Sequence, residues 1–278
     1  MLPNNPLTQY FRQPAIYIRL PSGGKFYPPG ALMMPANGEL PVLPMTSVDE
    51  ITYRTPDALF NGTATVNVIK SCVPSIRDPW TMPASDIDAV LVGIRIASYG
   101  HAMDLDVNCP ACDTDELISI DLRVVNDTLK IGDYEKSLNI GDLEFWFRPI
   151  PYKFVNDNNQ MQIEQQQAMR VLDSDADEKT KLDQLNRSMM LINETTIKTI
   201  AQSIAAIKTP QAMVSETEYI TEYLRNCDSK IFNQLRDHVI AIKQQSDIQP
   251  LALTCKECGH QYSQPFTLDL SSFFVNAS

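Results

Sequence analysis

The chain has 278 residues, enough for one large domain or two smaller ones, and its 44% hydrophobic and 21% charged content is that of a globular protein. Its net charge is -11, from 23 basic and 34 acidic residues, and the early, middle and late parts are each net acidic. That balance argues against nucleic acid as a partner, because neutralising phosphates needs a positive footprint.

No apolar run reaches the length of a membrane span, and Met1-Leu2-Pro3-Asn4-Asn5-Pro6 lacks the basic, apolar and small-residue order of a signal peptide. The expected compartment is therefore a cytosol. Ile16, Ile18 and Leu20 alternate with Tyr17 and Arg19, which reads as a half-buried strand. Ser22-Gly23-Gly24 is a turn, and Pro28-Pro29 rules out a helix after it. Glu39 to Pro44 reads as an edge strand, since its prolines cannot donate to a ladder.

Three helices are expected next. Thr46 or Ser47 caps the first, with Asp49 and Glu50 near its start; Thr55-Pro56-Asp57 opens the second, which runs to about Cys72 before Pro74. Ser85 with Asp88 opens the third, Ile87, Val90, Leu91 and Ile94 mark its apolar face, and Gly100 ends it. Residues 139–149 form an aromatic strand with Leu143, Phe145 and Phe147 on one face. From Tyr152 the composition turns polar but keeps helical spacing to Leu172, and Asp173 to Asp177 reads as a loop.

The clearest helix follows. Leu182, Leu185, Met189, Ile192, Thr196, Ile200, Ile204 and Ile207 recur three or four residues apart until Thr209-Pro210. Such a stripe fills a core or docks on another subunit; Leu182, Leu185, Met189, Ile192, Ile200 and Ile204 are the candidate partner-binding residues. A last helix starts near Ser215 and carries Ile220, Leu224, Ile231, Leu235, Val239 and Ile242.

Two CxxC knuckles, Cys109-Pro110-Ala111-Cys112 and Cys255-Lys256-Glu257-Cys258, each lie between short strand-like runs. Two knuckles supply four thiolates, which is the ligand set of a structural zinc site; an iron–sulfur cluster uses the same ligands and is the rival. His260 is expected to face solvent or support the site rather than ligate. A redox role would need a thioredoxin-like βαβ context, which neither knuckle has. Cys72 and Cys227 are expected to be buried, inert thiols in helices.

The expected fold class is thus α+β. A small mixed α/β N-terminal region carries a split, zinc-ribbon-like four-cysteine site, with a mostly α-helical insertion of three helices between the knuckles. The expected division is 1–150 plus 248–278 for the body and 151–247 for the insertion.

For catalysis the inventory is thin. No GxSxG, HExxH, P-loop or GxGxxG occurs, and His101, His238 and His260 form no evident nucleophile–base set. Asp104/Asp106 and Asp113/Asp115 read as solvated loop acids. Ser22-Gly23-Gly24-Lys25 has the wrong spacing for a phosphate loop.

Leu20-Pro21-Ser22-Gly23-Gly24-Lys25-Phe26-Tyr27-Pro28, then Pro41-Val42-Leu43-Pro44-Met45-Thr46 with Asp49-Glu50, then Ile94 to Gly100 and Val107-Asn108-Cys109-Pro110-Ala111-Cys112, form an ordered series. The series resembles the baseplate hub and hub-assembly proteins of T-even-type contractile-tailed bacteriophages, over roughly residues 16–125 and the C-terminal CxxC. The resemblance implies a non-enzymatic morphogenesis role, as a hub component or hub-assembly factor that binds other tail proteins, the tape-measure protein among the candidates. It also implies a location in the host cytoplasm during assembly and, for a member that stays in the particle rather than acting transiently, in the tail baseplate of the virion. Taken alone, the knuckles would suggest a zinc-ribbon nucleic-acid-binding or transcription-type protein, an alternative that the charge disfavours.

Overall fold

The computed structural model describes residues 5–55, 62–169, 178–266 and 273–274. Its contacts divide the chain into two units, one of residues 1–79, 85–130 and 247–278, the other of residues 80–84 and 131–246.

In the first unit, β1 (Ile16–Ile18) pairs antiparallel with β2 (Leu40–Val42). Helix α1 (Ser47–Tyr53) opens with a reciprocal capping box between Thr46 and Asp49. Helix α2 (Thr63–Cys72) follows Gly62, whose φ of 72° only glycine adopts without strain. The opening expected at Thr55-Pro56-Asp57 lies partly outside the described residues. Helix α3 (Ala84–Tyr99) buries Ile87, Val90, Leu91 and Ile94, and Gly100 follows it at φ 89°. Then come β3 (Ala102–Asn108), β4 (Asp115–Asp121) and a short helix α4 (Leu122–Thr128) that periodicity did not suggest.

The turn Ser22-Gly23-Gly24 clamps a buried acid. Asp86, fully buried in the first turn of α3, accepts from the Ser22 N–H at 2.9 Å, the Ser22 hydroxyl at 2.5 Å and the Tyr27 hydroxyl at 2.9 Å. Burial still holds the Asp86 pKa above the ordinary carboxylate value, against the pull of those three donors. Cys72 lies in the same unit, fully buried, its pKa pushed up to about 11 by burial and then by Asp49, so it is an inert thiol.

The main segment of the second unit, residues 131–246, includes the aromatic strand. Strands β5 (Leu138–Ile140), β6 (Leu143–Phe147), β7 (Ile204–Lys208) and β8 (Met213–Val214) form one antiparallel sheet in that order. Around it lie α5 (Tyr152–Met169), α6 (Glu178–Ser203), α7 (Thr217–Asn226) and α8 (Ser229–Ser246). The region is therefore not the three-helix insertion expected from periodicity.

Two local causes explain the difference. Helix α6 stops at Ser203 because its last carbonyls are taken: Arg148 donates its N–H to Ser203 O at 2.8 Å and its Nε–H to Gln202 O at 3.0 Å. A register shift at Trp146/Phe147 then lets Ile204 and Ile207 both reach the core, although three residues apart on a strand they would face opposite ways. That bulge counterfeits a helical spacing. The last helix is broken by Asp228, which accepts from the Lys230 N–H at 2.7 Å and leaves Cys227 half-buried between α7 and α8. Leu224 and Ile231, seven apart, keep the apolar phase across the break, so periodicity does not reveal it.

Removing the Ser22 hydroxyl tests the Asp86 clamp. Ser22→Ala leaves a buried carboxylate short of a donor, and should cost about 1.5–3 kcal/mol in a urea titration with an unchanged slope.

Candidate metal centre

The four cysteines lie on two hairpins of the first unit. The first is β3–β4, paired over seven positions from Ala102↔Asp121 to Asn108↔Asp115; the second is β9 (Leu251–Thr254) with β10 (Gln261–Gln264), paired over four. Their turns follow one plan. The Cys109 N–H donates to Thr114 O at 3.0 Å and the Cys255 N–H to His260 O at 2.9 Å, five residues on in each case. The Asp113 and Gly259 N–H groups return to the carbonyls of Cys109 and Cys255 at 2.9 and 3.0 Å. Both Asp113 (φ 57°) and Gly259 (φ 71°) are left-handed, which turns the chain sharply after the second cysteine of each knuckle.

This repeated geometry faces the two thiol pairs toward one another. Cys109 Sγ lies 3.7 Å from Cys258 Sγ, Cys112 Sγ lies 3.7 Å from Cys255 Sγ, and all four sulfurs fall within 4.8 Å of one another. Cys109 and Cys255 are buried, Cys112 and Cys258 exposed. Their surroundings split the acidities of Cys112 and Cys258. The Thr114 hydroxyl, 3.3 Å from Cys112 Sγ, and then its backbone pull the Cys112 pKa down to about 7. At Cys258 the His260 backbone pulls downward, but the neighbouring thiols, Cys112 foremost, prevail and push it up to about 12. Four sulfurs this close repel once ionised, and a central cation would let all four carry charge together. The cluster can hold a metal ion.

His260 contributes its backbone carbonyl to the second turn, while its ring lies parallel to that of Tyr262. Two residues that spacing did not single out belong to the site. Thr114 sits beside Cys112; Glu116 Oε1 accepts from the Lys256 N–H at 2.7 Å and lies 3.8 Å from Cys255 Sγ. The signal for Glu116 was the offset, seven residues beyond Cys109, a position that only matters once the hairpins are paired.

The candidate partner-binding stripe divides. Ile200 and Ile204 are buried in the core of the second unit with Phe145, Phe147, Ile220 and Leu235. Leu182, Met189 and Ile192 are 58%, 55% and 55% exposed, and Leu185 is 36% exposed. Leu185, Met189 and Ile192 line one wall of an open groove of about 490 Å³, with Gln162 and Gln166 of α5 on the other. Met190 and Leu191 extend the exposed apolar surface.

Fold and site together define a mixed α/β protein with a four-cysteine cluster suited to a metal ion. A family model described as T4 bacteriophage base plate protein matches residues 50–275, well over half of the chain. The chain belongs to that family and is a structural component of a phage baseplate. No curated protein and no solved structure matches it. No described helix is long and apolar enough to cross a membrane.

Elemental analysis of the purified chain should find about one metal ion, absent from Cys109→Ser and from Cys255→Ser. Because Cys112 and Cys255 are 143 positions apart, chelation should cost about 3–5 kcal/mol of stability through the loop it reopens.

Proposed function

We propose that this baseplate protein is a non-enzymatic component or assembly factor of the central hub. In this reading its first unit is stapled by zinc, and its second unit offers the α6 face to a long helical tail protein. The tape-measure protein is the leading candidate partner. The observation that carries the docking part is the exposed run Leu182, Leu185, Met189 and Ile192. Its spacings of three, four and three make a two-heptad seam, which suits a partner helix laid along α6. The groove beside it is edged by Gln162, Gln165 and Gln166, uncharged groups that would neither repel nor demand a particular sign of charge.

Zinc is favoured by the sulfur spacing. A tetrahedral ion with metal–sulfur bonds of about 2.3 Å has ligand–ligand edges of about 3.8 Å, close to the 3.7 Å of the Cys109–Cys258 and Cys112–Cys255 pairs. An iron–sulfur cluster places its own irons and sulfides between the thiolates and spreads them further. A colourless protein containing zinc supports the assignment; visible absorption with bound iron and sulfide removes it.

The docking face is tested with the full chain. Deleting 152–247 would also remove β7, and with it the pairing that β6 needs. Surface substitutions are cleaner. Leu185→Asp with Ile192→Asp should lower capture of co-expressed hub and tape-measure proteins at least about tenfold, as loss of apolar anchors does, with unchanged circular dichroism and metal content. Undiminished capture would reject this face as the docking site.

A further inference from the structure

The two hairpins are alike in plan but not in what joins them. Among the described residues, and apart from the thiols, the hydrogen bond between them is the one from the Lys256 N–H to Glu116 Oε1, at 2.7 Å. The equivalent position in the first knuckle, the residue after the leading cysteine, is Pro110, which has no N–H to give. The position equivalent to Glu116, seven residues beyond the leading cysteine of the second knuckle, is Tyr262, which has no carboxylate. The latch therefore exists once, and it runs from the long first hairpin to the short second one.

We propose that Glu116 is a positioning residue for the metal centre, holding the second knuckle in its ligating geometry by accepting the Lys256 N–H. The inference rests on the metal reading of the cysteine cluster. The first hairpin has seven paired positions and a further side-chain bond from Asn108 to Asp115 at 3.0 Å; the second has four pairs. The weaker hairpin is the one that gains an outside hold.

A carboxylate is an unexpected choice for that place. It accepts from the Cys255 thiol at 3.8 Å, but its charge would oppose that of a metal-bound thiolate at the same place. The charge is a cost, so the gain has to come from the acceptor atom and its reach across the two hairpins. Groups that orient metal ligands are commonly worth about tenfold to a hundredfold in metal affinity. The contribution of Glu116 should fall in that range, and glutamine, which keeps the acceptor and removes the charge, should preserve it.

The experiment uses the full chain loaded with zinc and follows metal release to a chromogenic chelator, alongside hydrogen exchange at the Lys256 amide. Glu116→Ala should release zinc about tenfold or more faster and should deprotect the Lys256 amide. Glu116→Gln should match or outlast the wild type. Lys256→Pro removes the donor, and the first knuckle already carries proline at that place. It should release zinc as fast as Glu116→Ala, and the two together should be no faster than either. Wild-type release rates in Glu116→Ala, or equal acceleration in Glu116→Gln, would overturn the latch. If the wild-type chain holds no zinc, the metal reading fails by itself, and protection of the Lys256 amide still reports whether the latch forms.

Discussion

The first unit depends on bringing together two hairpins that the chain makes more than a hundred residues apart. Nothing local favours that meeting. Each knuckle is a self-contained turn, set by a backbone bond to the residue five ahead and a left-handed residue four ahead. What the turns cannot supply is a reason for four sulfurs to sit within 4.8 Å, because ionised thiols repel. A cation at the centre would reverse the sign of that interaction. Such a closure would tie the first hairpin to the second within the first unit, although the two are far apart in the chain.

The second unit meets a related problem by packing. The two ends of its main segment, 131–246, lie side by side: the Gly132 N–H donates to Ser246 Oγ at 2.7 Å and the Asp133 N–H to Gln245 Oε1 at 3.0 Å. A side chain at Gly132 would stand 2.4 Å from the Ile242 carbonyl, so this approach requires glycine for space. Above that base, the sheet and α6 share a core in which Ile200, Ala201 and Ile204 meet Phe145 and Phe147. Helix α6 thus has two characters. Its C-terminal end is fixed in the core, while its N-terminal half carries apolar residues into solvent, which a structural component can use against a neighbour.

Motifs and function correspond unevenly in this chain. The stretch from Leu20 to Pro28, prominent in the sequence, builds the clamp on Asp86 and so serves the packing of the first unit. The acids around the first knuckle divide as well. Asp115 ties to Asn108 within its own hairpin, whereas Glu116 reaches the other. Adjacent residues on a strand face opposite ways, so one of the pair can serve its own hairpin and the next a neighbouring one.

The sequence by itself determined the elements whose signals are local. Caps and stops placed α1 and the end of α3, since a capping box and a left-handed glycine act within one turn of helix. The CxxC spacing identified all four thiols, because a two-residue gap is what lets a tight turn present both. Tertiary structure decided the rest. The run from Ile200 to Ile207 keeps a helical period, yet Arg148 takes the carbonyls that would continue the helix and a bulge sends Ile204 and Ile207 to the same side. Periodicity reports which residues are buried; it does not say which backbone partner satisfies them. The same limit separates Leu182, Leu185, Met189 and Ile192 from Ile200 and Ile204. One stripe in the sequence became an exposed face and a core, because only its second half met the sheet.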